Sequence, residues 1–353
     1  MTLNDLLLRT GEWLRGVGPE ADIVVSTRIR LARNLADFPF PNRASPLQRG
    51  EIETLLRDRV QQLGQSWHFT YFAVHKLPEL DRQFLVERQL ISREHANASG
   101  QRGVAIGETE ACAIMVNEED HLRLQVIRSG FQLDEAWQEM DRLDDALGER
   151  VCYAFSQEFG YLTACPTNVG TGMRASVLLH LPALGLTKQL EKVFRALQKM
   201  NLVVRGLYGE GTRASGDFYQ ISNQVTLGRS EQDILQAIRE TVPAIVEYER
   251  QARRALLREM RSAIQDRIHR ALGTLRSAVM MSSEETLDLL SNVRLGVTLQ
   301  LIDDLSLQRV NELLLQTQPA HLQKIHGEEM ESEQRNIFRA RYLREQLRNI
   351  QLN

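Results

Sequence analysis

Strand-like patterns of apolar and polar residues fill the first two thirds of the chain. Residues 111–116 form an unbroken apolar run that is typical of a buried strand, whereas residues 122–126 alternate strictly between apolar and polar. The same reading predicts further elements: strands over 201–205 and 218–227, and helices over 134–147 and 186–200. This pattern predicts an α+β fold with a mainly antiparallel sheet.

Strand signals stop after about residue 230, and helical periodicity replaces them. Apolar residues recur at every fourth position through Leu256, Met260, Ile264 and Ile268, which predicts one amphipathic helix. Further helices are predicted at the N-terminus (1–16) and over 299–316 and 331–350. Another begins at the capping box Ser282–Glu285 and ends at about residue 291. Pro319 and Gly327 are expected in the loop between the last two helices. We therefore predict one domain over 1–240 and an all-helical domain over 241–353.

The amino-acid composition excludes several classes of function, although it says little about the fold. The 353 residues carry a net charge of -3, which argues against a nucleic-acid or membrane-surface partner. Cys112, Cys152 and Cys165 lack the paired spacing of a disulfide framework or a zinc site, so we predict no protein-bound metal. The N-terminal leucines are interrupted by Asp5 and Glu12, unlike a secretory signal. We expect a soluble, cytoplasmic protein.

Five arginines lie in four separate short motifs and are the main candidates for ligand binding. They are Arg28, Arg30, Arg123, Arg174 and Arg205. The planar guanidinium suits phosphate oxygens, so arginines that converge in the fold could hold a triphosphate. Arg28 and Arg30 are two residues apart and share a face if they lie in a strand, although a solvated edge is the alternative. Arg33 is expected to form a structural ion pair.

Carboxylates and a cysteine accompany these arginines. Glu118 and Glu119 lie between two predicted strands and could bind a guanidinium group, unless they form an ordinary exposed turn. His121, which follows them, is expected to be structural. Cys165 begins the glycine-rich stretch Cys-Pro-Thr-Asn-Val-Gly-Thr-Gly-Met-Arg, where it is either a thiolate or a small buried apolar residue. The glycine-rich segment from Arg205 to Thr212 is either a lid or a mobile surface loop.

These motifs, taken in this order, resemble the phosphagen (guanidino) kinase family. The resemblance rests on Asn-Glu-Glu-Asp-His-Leu-Arg at 117–123 and on Cys-Pro-Thr-Asn-Val-Gly-Thr-Gly-Met-Arg-Ala at 165–175, and it covers about residues 20–230. It implies an antiparallel sheet flanked by helices, like the catalytic domain of glutamine synthetase. It also implies transfer of the γ-phosphoryl group of ATP, with Mg²⁺, to a guanidinium nitrogen.

The resemblance also implies roles for individual residues. Catalytic roles fall to Glu118, Glu119, Cys165 and Glu210, where the two acids Glu119 and Glu210 contact the target guanidinium and Cys165 orients it. Nucleotide binding falls to Ser26, Thr27, Arg28, Ile29, Arg30, Arg123, Arg174, Ala175, Ser176, Val177, Leu178, Arg205, Gly206, Leu207, Tyr208 and Gly209. The five arginines in that set are the phosphate ligands.

Two departures from the small-molecule members point to the acceptor. Those enzymes place a helical domain before the Ser-x-Arg-x-Arg motif, which here begins at Ser26, and they lack the helical region that this chain has at its C-terminus. The chain therefore resembles the bacterial protein-arginine kinases of the McsB type. A kinase of free arginine or another small guanidine, and a phosphoarginine-binding adaptor without activity, remain alternatives.

That narrower resemblance implies a regulatory pocket and partners. Arg335, Asn336, Arg339 and Ala340 match an allosteric phosphoarginine pocket, except that Asn336 replaces an acid and cannot form an ion pair. The implied partners are a heat-shock repressor and unfolded proteins as substrates, a zinc-binding activator protein, a Clp-type ATP-dependent protease and a second copy of the chain. The implied setting is the stress response.

Overall fold

The computed structural model describes residues 1–63, 67–206 and 215–350. Within this part, eight strands form one antiparallel sheet in the order β2-β3-β4-β5-β1-β8-β10-β9, and β6 and β7 form a separate hairpin. The strands are β1 (Val24–Arg33), β2 (Thr70–Phe72), β3 (Gly103–Ile106), β4 (Cys112–Val116), β5 (Leu122–Ser129), β6 (Phe155–Ser156), β7 (Gly160–Tyr161), β8 (Met173–His180), β9 (Leu202–Gly206) and β10 (Phe218–Asn223). The predicted α+β class is confirmed.

Helices flank this sheet and make up the C-terminal region. They are α1 (Leu3–Leu7), α2 (Pro46–Gln61), α3 (Glu79–Glu87), α4 (Arg93–Asn97), α5 (Leu133–Gly148), α6 (Pro182–Leu186), α7 (Leu190–Lys199), α8 (Glu231–Glu259), α9 (Arg261–Ser277), α10 (Ser283–Thr298), α11 (Leu307–Gln316), α12 (Pro319–His326) and α13 (Ser332–Gln346). The domain boundary that we predicted at residue 240 falls inside α8 and stays a prediction. None of the described helices has the length and apolar character that a membrane crossing requires.

The pairing register places the arginines on one face of the sheet. On the central strand β1, Arg30 lies opposite Arg174 of β8, and Ala32 lies opposite Arg123 of β5. Directly opposed residues of antiparallel strands share a face, and every second residue of a strand does so too. Arg28 and Arg205 follow in the same way, Arg205 through its pairing with Gln220. We call this side the arginine face.

The opposite face of the sheet packs against the main hydrophobic core. Ile29 and Val177 are fully buried there, in one cluster with Leu56 of α2, Met140 of α5 and Ile238 of α8. A second, smaller core covers the arginine face over β3 and β4, where Val104 and Met115 meet Phe84 of α3. Helices therefore cover both faces at one edge of the sheet, and the arginine-bearing strands β5, β1, β8 and β9 lie between that covered edge and the other edge, which β9 forms.

Two helix predictions in the C-terminal region were wrong. The predicted helix through Leu256 and Ile268 is broken at Met260, whose φ of -137° and ψ of 32° are not helical and whose surface is 54% exposed. The break lets α8 and α9 each bury their own apolar stripe, and a four-residue repeat does not register such a change of direction. Pro319 and Gly327, which we expected in a loop, are the first residue of α12 and its left-handed cap (φ 92°).

The bounds of other predicted helices were also wrong. The N-terminal helix spans only Leu3–Leu7. The helix after Ser282 continues to Thr298, and the one predicted from residue 299 begins at Leu307. Ser306 supplies the side-chain cap that starts this last helix, since its hydroxyl accepts a hydrogen bond from Arg309 N at 3.1 Å.

A buried arginine joins the helical region to the sheet. Arg294 of α10 donates to the carbonyls of Ala21 and Asp22 at 3.0 Å and to Asn311 Oδ1 at 3.2 Å. It also lies 2.9 Å from Nδ1 of His180, at the end of β8. Because Nδ1 accepts there, Nε2 of the ring carries the proton and donates to Ser291 Oγ at 2.8 Å.

We expect Arg294→Met to lower the free energy of unfolding by at least about 3 kcal/mol, because several buried acceptors lose their donor together. Arg270→Met is the matched control, since Arg270 is exposed and pairs with Asp266 on its own helix. The control should change stability by no more than about 0.5 kcal/mol. Urea unfolding followed by tryptophan fluorescence measures both, and equal losses would contradict the anchoring role of Arg294.

Candidate active site

A tight loop between β4 and β5 carries the two adjacent glutamates. Asn117 has a left-handed φ of 58°, and its N–H donates to the carbonyl of His121 at 2.9 Å, which closes the loop. Asp120, fully buried, accepts from Asn34 Nδ2 and from Ala164 N, both at 2.6 Å. The loop is therefore fixed to the end of β1 and to the segment that leads to Cys165.

His121 anchors the other side of this loop and has a structural place, as expected. Its Nδ1 accepts from Leu35 N at 3.0 Å, so Nε2 carries the proton and donates to the carbonyl of Pro39 at 3.0 Å. Burial lowers the pKa of His121 to about 4. The ring is neutral at physiological pH and does not face the arginines.

Burial separates the roles of the two glutamates. The side chain of Glu118 is only 2% exposed and accepts from Ser92 Oγ at 2.6 Å, from Arg123 Nη1 at 2.6 Å and from Glu119 N at 2.7 Å. The side chain of Glu119 is 44% exposed and has a longer contact of 3.2 Å with Arg123 Nη2. Glu118 therefore holds Arg123 and the backbone of Glu119 in place, and Glu119 remains available to a ligand.

Arginines and acids share one cavity on the arginine face. Its volume is about 330 Å³, and its lining includes Arg30, Glu94, Glu119, Arg123, Cys165, Thr167, Asn168, Arg174 and Arg205. Burial raises the pKa of Glu119 despite the opposing attraction of Arg123. A carboxylate whose proton affinity is raised is suited to take up a proton from a bound group.

The buried guanidinium groups of Arg28 and Arg30 are repelled by the other arginines of this face. Burial, and then the charges of Arg123 and Arg174, lower the pKa of Arg28 to about 10, and the same causes hold the pKa of Arg30 well below its usual value. Nε of Arg30 is buried without a hydrogen-bond partner among the described residues. A buried, unpaired donor within a cationic cluster fits an anion with several oxygens, such as a triphosphate.

Arg28 differs from the other four arginines because it does not line the cavity. It donates to Gln89 Oε1 and to Gln220 Oε1, both at 3.1 Å. These are neutral acceptors, so its charge still contributes to the field at the cavity. Arg28 therefore lies on the arginine face but outside the lining of the cavity.

Cys165 reaches the cavity from a short segment that Gly172 holds against the sheet. Its Sγ is 3.0 Å from Thr167 Oγ1, and the residue is half-buried. Gly172 has a φ of 64°, and a Cβ there would lie 2.6 Å from the carbonyl of Ala32. Only glycine allows this close approach to β1, which brings the thiol beside Arg174.

The sequence matches two family descriptions, which together leave out residues 1–50 and 253–260. "ATP:guanido phosphotransferase, C-terminal catalytic domain" matches residues 51–252. "Protein-arginine kinase McsB C-terminal domain" matches residues 261–353. The first match contains the arginine face except for β1, and the second contains helices α9 to α13.

Full-length relatives decide the family. The chain is 47% identical over 348 residues to the protein-arginine kinase of Halothermothrix orenii, covering 98% of this chain and 99% of that one. It is 48% identical over 351 residues to the protein-arginine kinase of Symbiobacterium thermophilum, with the same coverage. The chain belongs to the protein-arginine kinase family.

Solved structures share the fold. The duplicated taurocyamine kinase of Schistosoma mansoni, with bound transition-state analogue components, superposes with a TM-score of 0.61 at 30% identity and covers 71% of this chain and 36% of that one. Lombricine kinase superposes with a TM-score of 0.58 at 28% identity and covers 67% of this chain and 68% of that one. The predicted guanidino kinase fold is confirmed, and ATP is the phosphoryl donor of this family.

Some predicted nucleotide-binding residues lie on the wrong face for side-chain contact. Thr27, Ile29, Ala175 and Val177 are fully buried and alternate with the residues of the arginine face. Their side chains belong to the opposite face, so they could bind a nucleotide only through the backbone. Three other residues named from the motifs alternate in step with the arginines along their strands and so lie on the arginine face: Ser26, Ser176 and Leu178. Gly206 is the last residue of β9. Leu207, Tyr208, Gly209 and Glu210 lie outside the described residues.

The predicted phosphoarginine pocket is divided by the structure. Arg339 is 1% exposed and donates to the carbonyls of Thr317 and Met281, to Ser283 Oγ and to Asn336 Oδ1. Arg335 instead lines a cavity of about 990 Å³ beside α3 and α12. Ala340 is buried in the core. The regulatory role stays a prediction, in which Arg335 is the accessible cation.

Sequence reasoning missed the segment that runs from the end of α3 into the first turn of α4. Gln89 contacts Arg28, Ser92 contacts Glu118, and Glu94 lines the cavity. Each is a single polar residue without a motif around it. Ser92 could have been predicted only as the cap of a short helix.

We expect His121→Gln to reduce the acid sensitivity of the fold. An unfolded histidine binds a proton below pH 6.5, whereas folded His121 does so only near pH 4. The unfolded chain therefore binds more protons in this interval, and the free energy of unfolding falls as pH drops from 6.5 to 4. Between pH 7 and pH 5, the free energy of unfolding of the variant should therefore fall by about 1–2 kcal/mol less than that of the wild type.

Urea midpoints at pH 7 and pH 5 measure this effect. The control is His269→Gln, since His269 is exposed on α9. The control should lose as much stability as the wild type over the interval. An equal loss in His121→Gln would show that this histidine is not what couples the loop to pH.

Proposed function

We propose that this protein transfers the γ-phosphoryl group of ATP to the guanidinium group of arginine residues in other proteins. One observation carries the proposal: Arg30, Arg123, Arg174 and Arg205 line the same cavity as Glu119. Relatives that are called protein-arginine kinases match nearly the full chain. A site with cations for phosphate and a carboxylate for a cationic acceptor suits this reaction.

The reaction needs alignment more than covalent chemistry. A guanidinium nitrogen attacks the γ-phosphorus, the bond from that phosphorus to the β–γ bridging oxygen breaks, and its electron pair leaves with ADP. The attacking nitrogen loses a proton, which Glu119 is placed to accept because burial raises its pKa. The arginines stabilise the charge of the transferring group, and Glu118 holds Arg123 for this purpose. Cys165 lies beside the acceptor and orients it.

Mg²⁺ is the metal that such a phosphoryl transfer uses. When bound, it neutralises charge on the nucleotide's phosphates. Among the described residues, no group of three or more His, Cys, Asp or Glu side chains is arranged to hold a metal ion. The ion would therefore be held mainly by phosphate oxygens and water.

The cellular role follows as part of the same proposal. Phosphorylated arginines would mark unfolded proteins and a heat-shock repressor for a Clp-type protease in the cytoplasm during stress, under a zinc-binding activator protein. A homodimer is also part of the proposal. The exposed apolar side chains of Val279, Met280 and Ile337 on the helical region support such an interface.

Incubation with ATP, Mg²⁺ and unfolded casein, followed by mapping of acid-labile phosphosites, tests the reaction. We expect phosphate on arginine, and near-complete loss in Glu119→Gln because the acceptor loses its carboxylate. Glu149→Gln, at an exposed position, is the control and should retain full activity. Acid-stable phosphate on serine or threonine would refute the proposal, and efficient phosphorylation of free arginine would favour a small-guanidine kinase.

We expect Arg174→Ala to reduce kcat by ~10²–10³, the usual loss when one donor to a transition-state charge is removed. Arg195→Ala is the control because Arg195 is an exposed helix arginine that pairs with Glu191. Steady-state kinetics with casein at saturating ATP measure both variants. A kcat within twofold of the wild type for Arg174→Ala would remove this arginine from the phosphate site.

A further inference from the structure

Glu94 is an acidic residue in the cavity that no motif identifies. It lies in the first turn of α4 and is exposed to the cavity that Glu119 also lines. Its carboxylate has no hydrogen bond or ion pair with any other described residue. This distinguishes it from Glu118, which three donors occupy, and from Glu119, which contacts Arg123.

Ser92 fixes the position of Glu94 relative to Glu119. The hydroxyl of Ser92 donates to Glu118 Oε1 at 2.6 Å and accepts from His95 N at 2.9 Å, so it also caps α4. The other carboxylate oxygen of Glu118 accepts from Glu119 N. One buried carboxylate therefore ties the start of α4, with Glu94, to the loop that presents Glu119.

The positive charge of the cavity favours a further acid at the acceptor end, in addition to Glu119 and the Glu210 that the family resemblance assigns to the target guanidinium. A guanidinium acceptor must approach several arginines, which repel it, and one oxygen of Glu119 is already directed to Arg123. A guanidinium presents five N–H donors, more than one shared carboxylate can satisfy. Glu94 is the cavity carboxylate with no competing cation among the described residues.

We propose that Glu94 is a further carboxylate, in addition to Glu119 and Glu210, that binds the guanidinium group of the target arginine, and that Ser92 is the positioning residue that holds it there. The inference rests on the function proposed above and deepens it. It adds helix α4 to the acceptor end of the site, beside the loop that carries Glu119. The arginines of the face serve the phosphate end.

Glu94→Gln tests the proposal with little change of shape. We expect KM for casein to rise at least about tenfold, because a charge-assisted hydrogen bond becomes a neutral one. KM for ATP and its dependence on Mg²⁺ should stay within twofold. Glu51→Gln removes the same charge from the exposed surface of α2 and should leave every constant unchanged.

Each other result overturns the proposal. An unchanged KM for casein would show that Glu94 does not contact the acceptor. A rise in KM for ATP, or a shifted Mg²⁺ dependence, would assign Glu94 to the metal–nucleotide complex. Calorimetry without ATP, comparing the affinity of the wild type and of Glu94→Gln for an arginine-containing peptide, separates binding of the acceptor from binding of the metal–nucleotide complex. If no phosphoarginine forms, the proposed function fails, while peptide binding still tests Glu94.

Ser92 is tested by variants that separate positioning from helix capping. Ser92→Ala removes both bonds, whereas Ser306→Ala removes only a comparable cap at the start of α11. We expect both to lower the thermal midpoint similarly, and only Ser92→Ala to raise KM for casein, by severalfold. Ser92→Thr, which keeps the hydroxyl, should restore that KM. Equal kinetics for the two alanine variants would reduce Ser92 to a cap.

Discussion

The repulsion between guanidinium groups on one face of the sheet is the constraint to which the rest of the site responds. Arg30 lies directly opposite Arg174 on the neighbouring strand, where like charges are unfavourable. The fold tolerates this pair because the other face of the same strands is packed into the main core through Ile29 and Val177. A register shift of one residue would exchange these two sets of side chains, so the core fixes the arginines where they repel one another. Binding of a polyanion then relieves the repulsion.

The two adjacent glutamates show how burial divides one motif into two roles. Glu118 is enclosed and fully used by Ser92, Arg123 and the backbone of Glu119, so its charge is committed to the protein. Glu119 remains partly exposed. Neighbouring residues of identical chemistry therefore differ in function because the chain turns between them. The buried Asp120 sets the direction of that turn.

Alternation along strands was readable from the sequence, and it correctly predicted that Arg28 and Arg30 share a face. That Arg123 lies on the same face follows only from the pairing of β1 with β5. Motif resemblance was less reliable for neighbours in the same strands, since Ile29 and Val177 belong to the consecutive motif but face the core. Neither strand alternation nor motif resemblance could predict how distant elements pack together. The break at Met260 and the capped helix at Pro319 depend on where apolar stripes meet their partners, and a local repeat carries no record of that.

The segment that follows α3 shows why the missed residues matter together. Glu87 accepts from Ala320 N at 2.8 Å and from His321 N at 2.9 Å, which joins it to the first turn of α12. A few residues later, Gln89 contacts Arg28 and Ser92 contacts Glu118. The same short stretch therefore touches the helical region, the arginine face and the acid loop. Because these residues are close in sequence, one short segment contacts helix α12, Arg28 and Glu118.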